Sequence, residues 1–155
     1  MRFRLPILLF VPLLLSACGG EGRPAEPDIR AVDPWARAMP LMEDAGRTAS
    51  NSAVYLTLRN AGKAPDRLLG GRTPAAETVE VHQSRLVGDV MRMEKLDGLG
   101  LPPDSAVKLE PGSYHLMLMS LTRSLEEGEE LELTLTFERS GDLILNVPVG
   151  RAGGD

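Results

Sequence analysis

Both histidines of the 155-residue chain, His82 and His115, fall in one short window with Met91, Met93 and Met117, and Met119 follows two residues later. Ten residues separate His82 from Met93, twenty-one separate Met93 from His115, and His115-Leu116-Met117 reads H-x-M. Imidazole nitrogen mixed with thioether sulfur is a donor set for a soft cation. Thioether sulfur is neutral, so it selects Cu(I) over zinc, which takes thiolate, imidazole or carboxylate, and over the hard, oxygen-seeking cations. Any one of these residues alone says little, because a strand methionine is usually core filler and a strand histidine usually an ordinary hydrogen-bonding side chain. Their concentration is the signal: the only two histidines and four of the six methionines after Met1 share the window.

Strands have to position these donors. VEVHQSRLV (79 to 87) and VMRMEKL (90 to 96) are β-prone runs joined by Gly88-Asp89, and glycine first in a two-residue loop predicts a type II′ hairpin. Partners across such a hairpin have numbers that sum to 177, so His82 faces Lys95, Ser84 faces Met93 and Leu86 faces Met91. Alternation puts all six on one side, with His82 and Met93 as diagonal neighbours about 7–8 Å apart at the backbone, within reach of long side chains. In YHLMLMS (114 to 120) the same period puts His115, Met117 and Met119 on one face and Leu116 and Leu118 on the other. Two such pairs brought face to face give a site of two nitrogens and two sulfurs.

The pattern H-x10-M-x21-H-x-M resembles that of the periplasmic Cu(I) chaperones of the PCuAC type. The surroundings are similar as well: DPWARA (33 to 38), SAVYLTLRN (52 to 60), DRLLG (66 to 70), LEPGSYHLMLM (109 to 119), LEEGEELELTLTF (125 to 137) and VPV (147 to 149). The resemblance covers about residues 29 to 149, and it departs from the family where members often carry a methionine shortly after the first histidine and this chain has Gln83-Ser84. It implies a cupredoxin-like β-barrel, with His82, Met93, His115 and Met117 as ligands of one Cu(I). It also implies delivery toward the binuclear copper centre of cytochrome c oxidase subunit II, with a thioredoxin-like assembly protein as a further partner.

Residues 1–17 read as a signal peptide, with Arg2 and Arg4 ahead of an apolar run, LPILLFVPLLL (5 to 15), too short for a stable membrane span. Leu15-Ser16-Ala17-Cys18 resembles a bacterial lipobox, which makes Cys18 the lipidation site and anchors the exported protein to a membrane on its periplasmic side. An ordinary secretory cleavage nearby is the alternative. Residues 18–28, rich in Gly, Pro and charge, are expected to be a flexible tether, residues 29–150 one domain, and residues 151–155 a frayed tail. Cys18 is the only cysteine, which excludes an intrachain disulfide, a C-x-x-C redox pair and haem attachment. A blue-copper electron carrier is excluded too, since it needs a cysteine thiolate. A formal charge of −5 and no basic patch argue against nucleic acid.

Along the domain, 29–38 reads as a strand interrupted at Pro34, with Trp35 a core anchor or, in a copper-binding fold, an aromatic packed near the site, and 39–51 as a loop exposing Met39 and Met42. SAVYLTLRN (52 to 60) is a strand with Val54, Leu56 and Leu58 on one face, 66–74 a short strand or turn, and 95–105 a loop. AVKLEPG (106 to 112) turns at Pro111-Gly112 into the His115 strand, 121–130 holds a helical turn with solvated glutamates or an acidic docking patch, and 131–138 and 142–149 are strands. Seven or eight short strands with regular turns predict an all-β antiparallel sandwich or Greek-key barrel. The leading function is a Cu(I) metallochaperone, not an enzyme: no triad order or phosphate loop is present, and four ligands leave no open coordination position. A copper scavenger protecting the envelope and a metal-free β-lipoprotein are the competing readings.

Overall fold

The computed structural model describes residues 25–41, 43–44, 47–48 and 50–150. The expected signal segment, Cys18, most of the tether, Met42 and residues 151–155 lie outside the described residues. Among the described residues, twelve strands follow in order: β1 (Ile29–Arg37), β2 (Glu43–Asp44), β3 (Arg47–Thr48), β4 (Ser52–Asn60), β5 (Asp66–Arg72) and β6 (Ala76–Val87). Then come β7 (Val90–Lys95), β8 (Leu99–Leu101), β9 (Ser105–Leu109), β10 (Tyr114–Leu121), β11 (Glu130–Phe137) and β12 (Gly141–Gly150).

Hydrogen bonding runs β6, β10, β4, β1, β12, β11, β5 and returns to β6 where Gly71 faces Val79, so seven strands close a barrel. Strand alternation fills it: Leu131, Leu133 and Leu135 of β11 and Leu116 and Leu118 of β10 point inward and are fully buried. Closure needs two glycines, because a Cβ at Gly70 would sit 2.9 Å from the Val79 carbonyl oxygen and one at Gly71 would sit 2.5 Å from that of Thr134. The all-β barrel expected from the sequence therefore forms, with one departure from antiparallel pairing. β1 and β12, the first and last strands of the ring, run parallel, with Ala36 opposite Val149; no short connection has to join them, so nothing forces a hairpin there.

Four local expectations are corrected. Residues 121–130 are bends and a turn rather than a helical turn, because the N–H and C=O of Leu125 are both taken by Met39, at 2.9 and 3.0 Å. That bridge also holds Met39 against the core instead of leaving it exposed. The 95–105 loop contains β8, since Leu99 and Leu101 flank Gly100 and drop into the core while pairing with β5. The 39–51 loop carries the small β2–β3 hairpin.

Pro34 does not end β1. Val32 pairs with Thr57 and Trp35 with Tyr55, so Asp33 and Pro34 together oppose one residue of β4, and Asp33 adopts a φ of 50°. Such a bulge re-aims the side chains that follow it. Trp35 consequently leaves the core and stacks on Tyr55 outside the barrel, ring centroids 4.5 Å apart.

Candidate metal centre

β6, β10 and β4 are neighbours in the barrel wall, and the leucines and valines that fill the interior leave the alternate residues on its outer face. The β6–β10 register sets His82 directly opposite His115 and Glu80 opposite Met117. The β6–β7 register sets Ser84 opposite Met93 and His82 opposite Lys95, which is the pairing the Gly88-Asp89 turn predicts. Gly88 has a φ of 63° and Asp89 is not among the left-handed residues, as a type II′ turn requires. The two His/Met pairs thus lie side by side on one outer surface, where the sequence alone suggested face to face.

The imidazoles of His82 and His115 are 5.9 Å apart between centroids. Met93, His115 and Met117 line one cleft, together with Ser84, Tyr55 and Arg37. His82 is not among the residues that line it; its ring neighbours that of His115 across the β6–β10 pairing. His115 is 4% exposed although it points away from the core; the Tyr55 ring from β4 lies 6.3 Å from its own, and the Pro111-Gly112 turn and Met93 line the same cleft. Met93 is 54% exposed, so the cleft is open on the β7 side. Met91 lies two residues further toward the hairpin tip and is similarly exposed. Met119 shares the outward face of β10 but does not line the cleft.

Hydrogen bonds fix where the ring lone pairs are. His115 Nδ1 lies 3.2 Å from the Ser113 carbonyl oxygen; a carbonyl only accepts, so Nδ1 carries the hydrogen and Nε2 is left with the lone pair. His82 Nε2 lies 2.9 Å from Glu80 Oε2, and His82 Nδ1 is buried with no hydrogen-bond partner. An orphaned buried nitrogen is costly unless something fills its lone pair. With the thioethers of Met93 and Met117 lining the cleft beside His115, the donor set fits a soft monovalent cation.

The electrostatics favour a neutral His115 ring and an ionised Glu80. Burial holds the His115 imidazole below its ordinary value of 6.5; the Ser113 contact works against that shift, and nearby His82 and Arg37 reinforce it. Glu80 is held below the usual carboxylate range by its hydrogen bond to His82 and then by Lys95, whose Nζ is 2.6 Å from Oε1. Arg37 donates to the Tyr55 hydroxyl at 2.8 Å, and its guanidinium carbon lies 5.8 Å from the ring centroid. Glu80, Tyr55 and Arg37 join the site only through the fold. Alternation alone could have found Glu80, which is two residues from His82; Tyr55 needs the β4–β10 register and Arg37 needs the bulge.

The family model described as "Putative lipoprotein LpqE-like" matches residues 29–149. Protein RP573 of Rickettsia prowazekii is 34% identical over 127 residues, covering 81% of this chain and 68% of that protein. "Putative lipoprotein Lxx21020" of Leifsonia xyli is 28% identical over 99 residues, covering 63% of this chain and 60% of its own length. Among solved structures, the copper-bound PCuAC domain from PmoF2 is similar at 27% identity and a TM-score of 0.63, covering 80% of this chain and 93% of that domain. The cupredoxin-like barrel that the sequence resemblance implied is the fold these domains share.

Proposed function

Since the chain belongs to the LpqE-like family and has the fold of the PCuAC domains, we propose that it is an exported, lipid-anchored Cu(I) metallochaperone whose ligands are His82, Met93, His115 and Met117. The observation that carries this is the outer-face patch in which two imidazoles and two thioethers from β6, β7 and β10 adjoin one another. Four neutral donors leave the +1 charge of the cargo uncompensated, so binding is firm but exchangeable, as a carrier needs. The chain's own residues do simple work: the imidazoles and sulfurs hold the ion, the Tyr55 and Pro111-Gly112 walls limit water, and the open β7 side admits a recipient. The proposed recipient is a respiratory copper site, the binuclear centre of cytochrome c oxidase subunit II, with a thioredoxin-like assembly protein as a second partner. Cys18 is the proposed anchor.

Anaerobic Cu(I) titration against a chromophoric chelator tests the binding half, with one equivalent expected. A deletion strain tests delivery: oxidase deficiency rescued by added copper is expected, whereas copper sensitivity with normal oxidase would replace delivery by scavenging.

Thioethers do not titrate, whereas the buried His115 imidazole does. His115 is harder to protonate in the fold than in the unfolded chain. Above pH 6.5 both states are neutral and no penalty exists; as pH falls below the ordinary imidazole value the unfolded chain takes up the proton first, so stability drops. Urea unfolding of the apo-protein between pH 7.5 and about 5.5 should show this decline, and His115→Gln should lose that part of it. An identical slope in the variant would count against the burial of His115 as its cause.

A further inference from the structure

The proposed ligand set leaves one relationship unexplained: the carboxylate that His82 touches. Glu80 precedes His82 by two residues on β6, so both point outward, and the register places Glu80 beside Met117. Its two oxygens are divided, with Oε2 2.9 Å from His82 Nε2 and Oε1 2.6 Å from Lys95 Nζ. Lys95 comes from β7, directly opposite His82. The carboxylate is therefore tied at both ends and its side chain is only partly exposed.

An ionised carboxylate accepts hydrogen bonds and cannot donate, so the hydrogen between Glu80 and His82 belongs to the ring. A neutral imidazole with hydrogen on Nε2 has its lone pair on Nδ1, the very atom that is buried without a partner. From this we infer that Glu80 is a positioning residue for copper: it locks His82 in the Nε2–H form and presents Nδ1 to the ion, while His115, held through its own Nδ1, presents Nε2. Metal-bound histidines commonly donate their other ring hydrogen to a carboxylate or carbonyl, which fixes both tautomer and ring angle. Here the two rings use the two kinds of partner, Glu80 for one and the Ser113 carbonyl for the other. Lys95 acts one step further out by keeping the carboxylate ionised and in place. Remove the carboxylate, and the His82 ring is free to rotate or exchange tautomers, so that the lone pair no longer faces the patch in most molecules.

This inference rests on His82 being a copper ligand, and the experiment separates the two. Long-range ¹H–¹⁵N spectra of the full mature protein, recorded at pH 8 before and after anaerobic loading with Cu(I), read each ring nitrogen directly. In the apo wild type, His82 should show hydrogen on Nε2 and His115 hydrogen on Nδ1; on loading, His82 Nδ1 and His115 Nε2 should shift. Glu80→Ala should give mixed His82 tautomers and bind Cu(I) about 10–100-fold more weakly. Glu80→Gln keeps an accepting oxygen, and should retain the tautomer with a smaller loss. A Cu(I)-induced shift at His82 Nε2, or a single unchanged tautomer and unchanged affinity in Glu80→Ala, would overturn the role of Glu80 and leave the ligand assignment standing. No shift at either His82 nitrogen while His115 responds would overturn the assignment of His82 itself.

Discussion

Met93→Leu and Met117→Leu are each expected to weaken Cu(I) binding by roughly a hundredfold or more, since losing even an outer-shell partner of a metal ligand costs about 10–100-fold. Leucine matches methionine closely in volume and hydrophobicity but offers no sulfur, so the substitution removes a donor and little else. Neither residue belongs to the barrel's interior. Met93 lies on β7, where every residue is exposed, and Met117 faces outward between the buried Leu116 and Leu118. Their melting temperatures should accordingly stay near that of the wild type, because surface changes of this kind cost within about 0.5 kcal/mol. Competition titration with a Cu(I) chelator, paired with thermal melts of the apo-proteins, gives both numbers. Unchanged affinity in both variants would remove sulfur from the proposed coordination.

Leu116→Ala is the complementary experiment, with the large effect on stability. Leu116 is 0% exposed and lies between His115 and Met117, so the same three-residue stretch alternates between proposed ligand and core. Truncating a buried leucine costs about 2–5 kcal/mol, through lost burial and the cavity left behind. For a domain of this size that lowers the melting temperature by on the order of 10 °C. Part of the loss should be recovered when Cu(I) is added, because a ligand that binds only the folded state stabilises it by mass action. Urea unfolding that shows less than about 1 kcal/mol of destabilisation would mean that the β10 interior is not packed as described.

These three substitutions also mark what local sequence can reveal. The face-by-face reading of β10 and the register of β6 on β7 are properties of alternation and of a two-residue turn, both local, and the structure reproduces them residue for residue. The apposition of His82 and His115 depends on β6 meeting β10, strands whose partners are 33 residues apart in the chain (115 minus 82), and no local pattern states that pairing. Trp35 was expected in the core because a sole indole usually anchors one; the bulge at Asp33-Pro34 shifts the alternation by one and turns it out onto Tyr55. Leu99, Leu101 and Leu125 sit among glycines, prolines and charges that read as loop or helical turn, and only their tertiary partners on β5 and at Met39 make them extended. Glu80 was legible in principle. Its role emerges only once Lys95 and the unpartnered His82 nitrogen are seen beside it.

The pairing of β6 with β10 ends at Gln83 opposite Tyr114, whereas β6 and β7 continue together to Val87 and Val90. Past that point the ribbon is two strands wide, with Leu86, Val87, Val90 and Met91 all turned to solvent. Two-stranded ribbons with no core of their own are marginally stable in water, and such segments fray at far less cost than the whole fold. Met93 stands at the root of this arm, so in the proposed centre one of the four grips can let go by fraying while the other three stay fixed to the closed wall. For the proposed carrier, release by that route would be a small excursion of one hairpin and would require no rearrangement of the barrel.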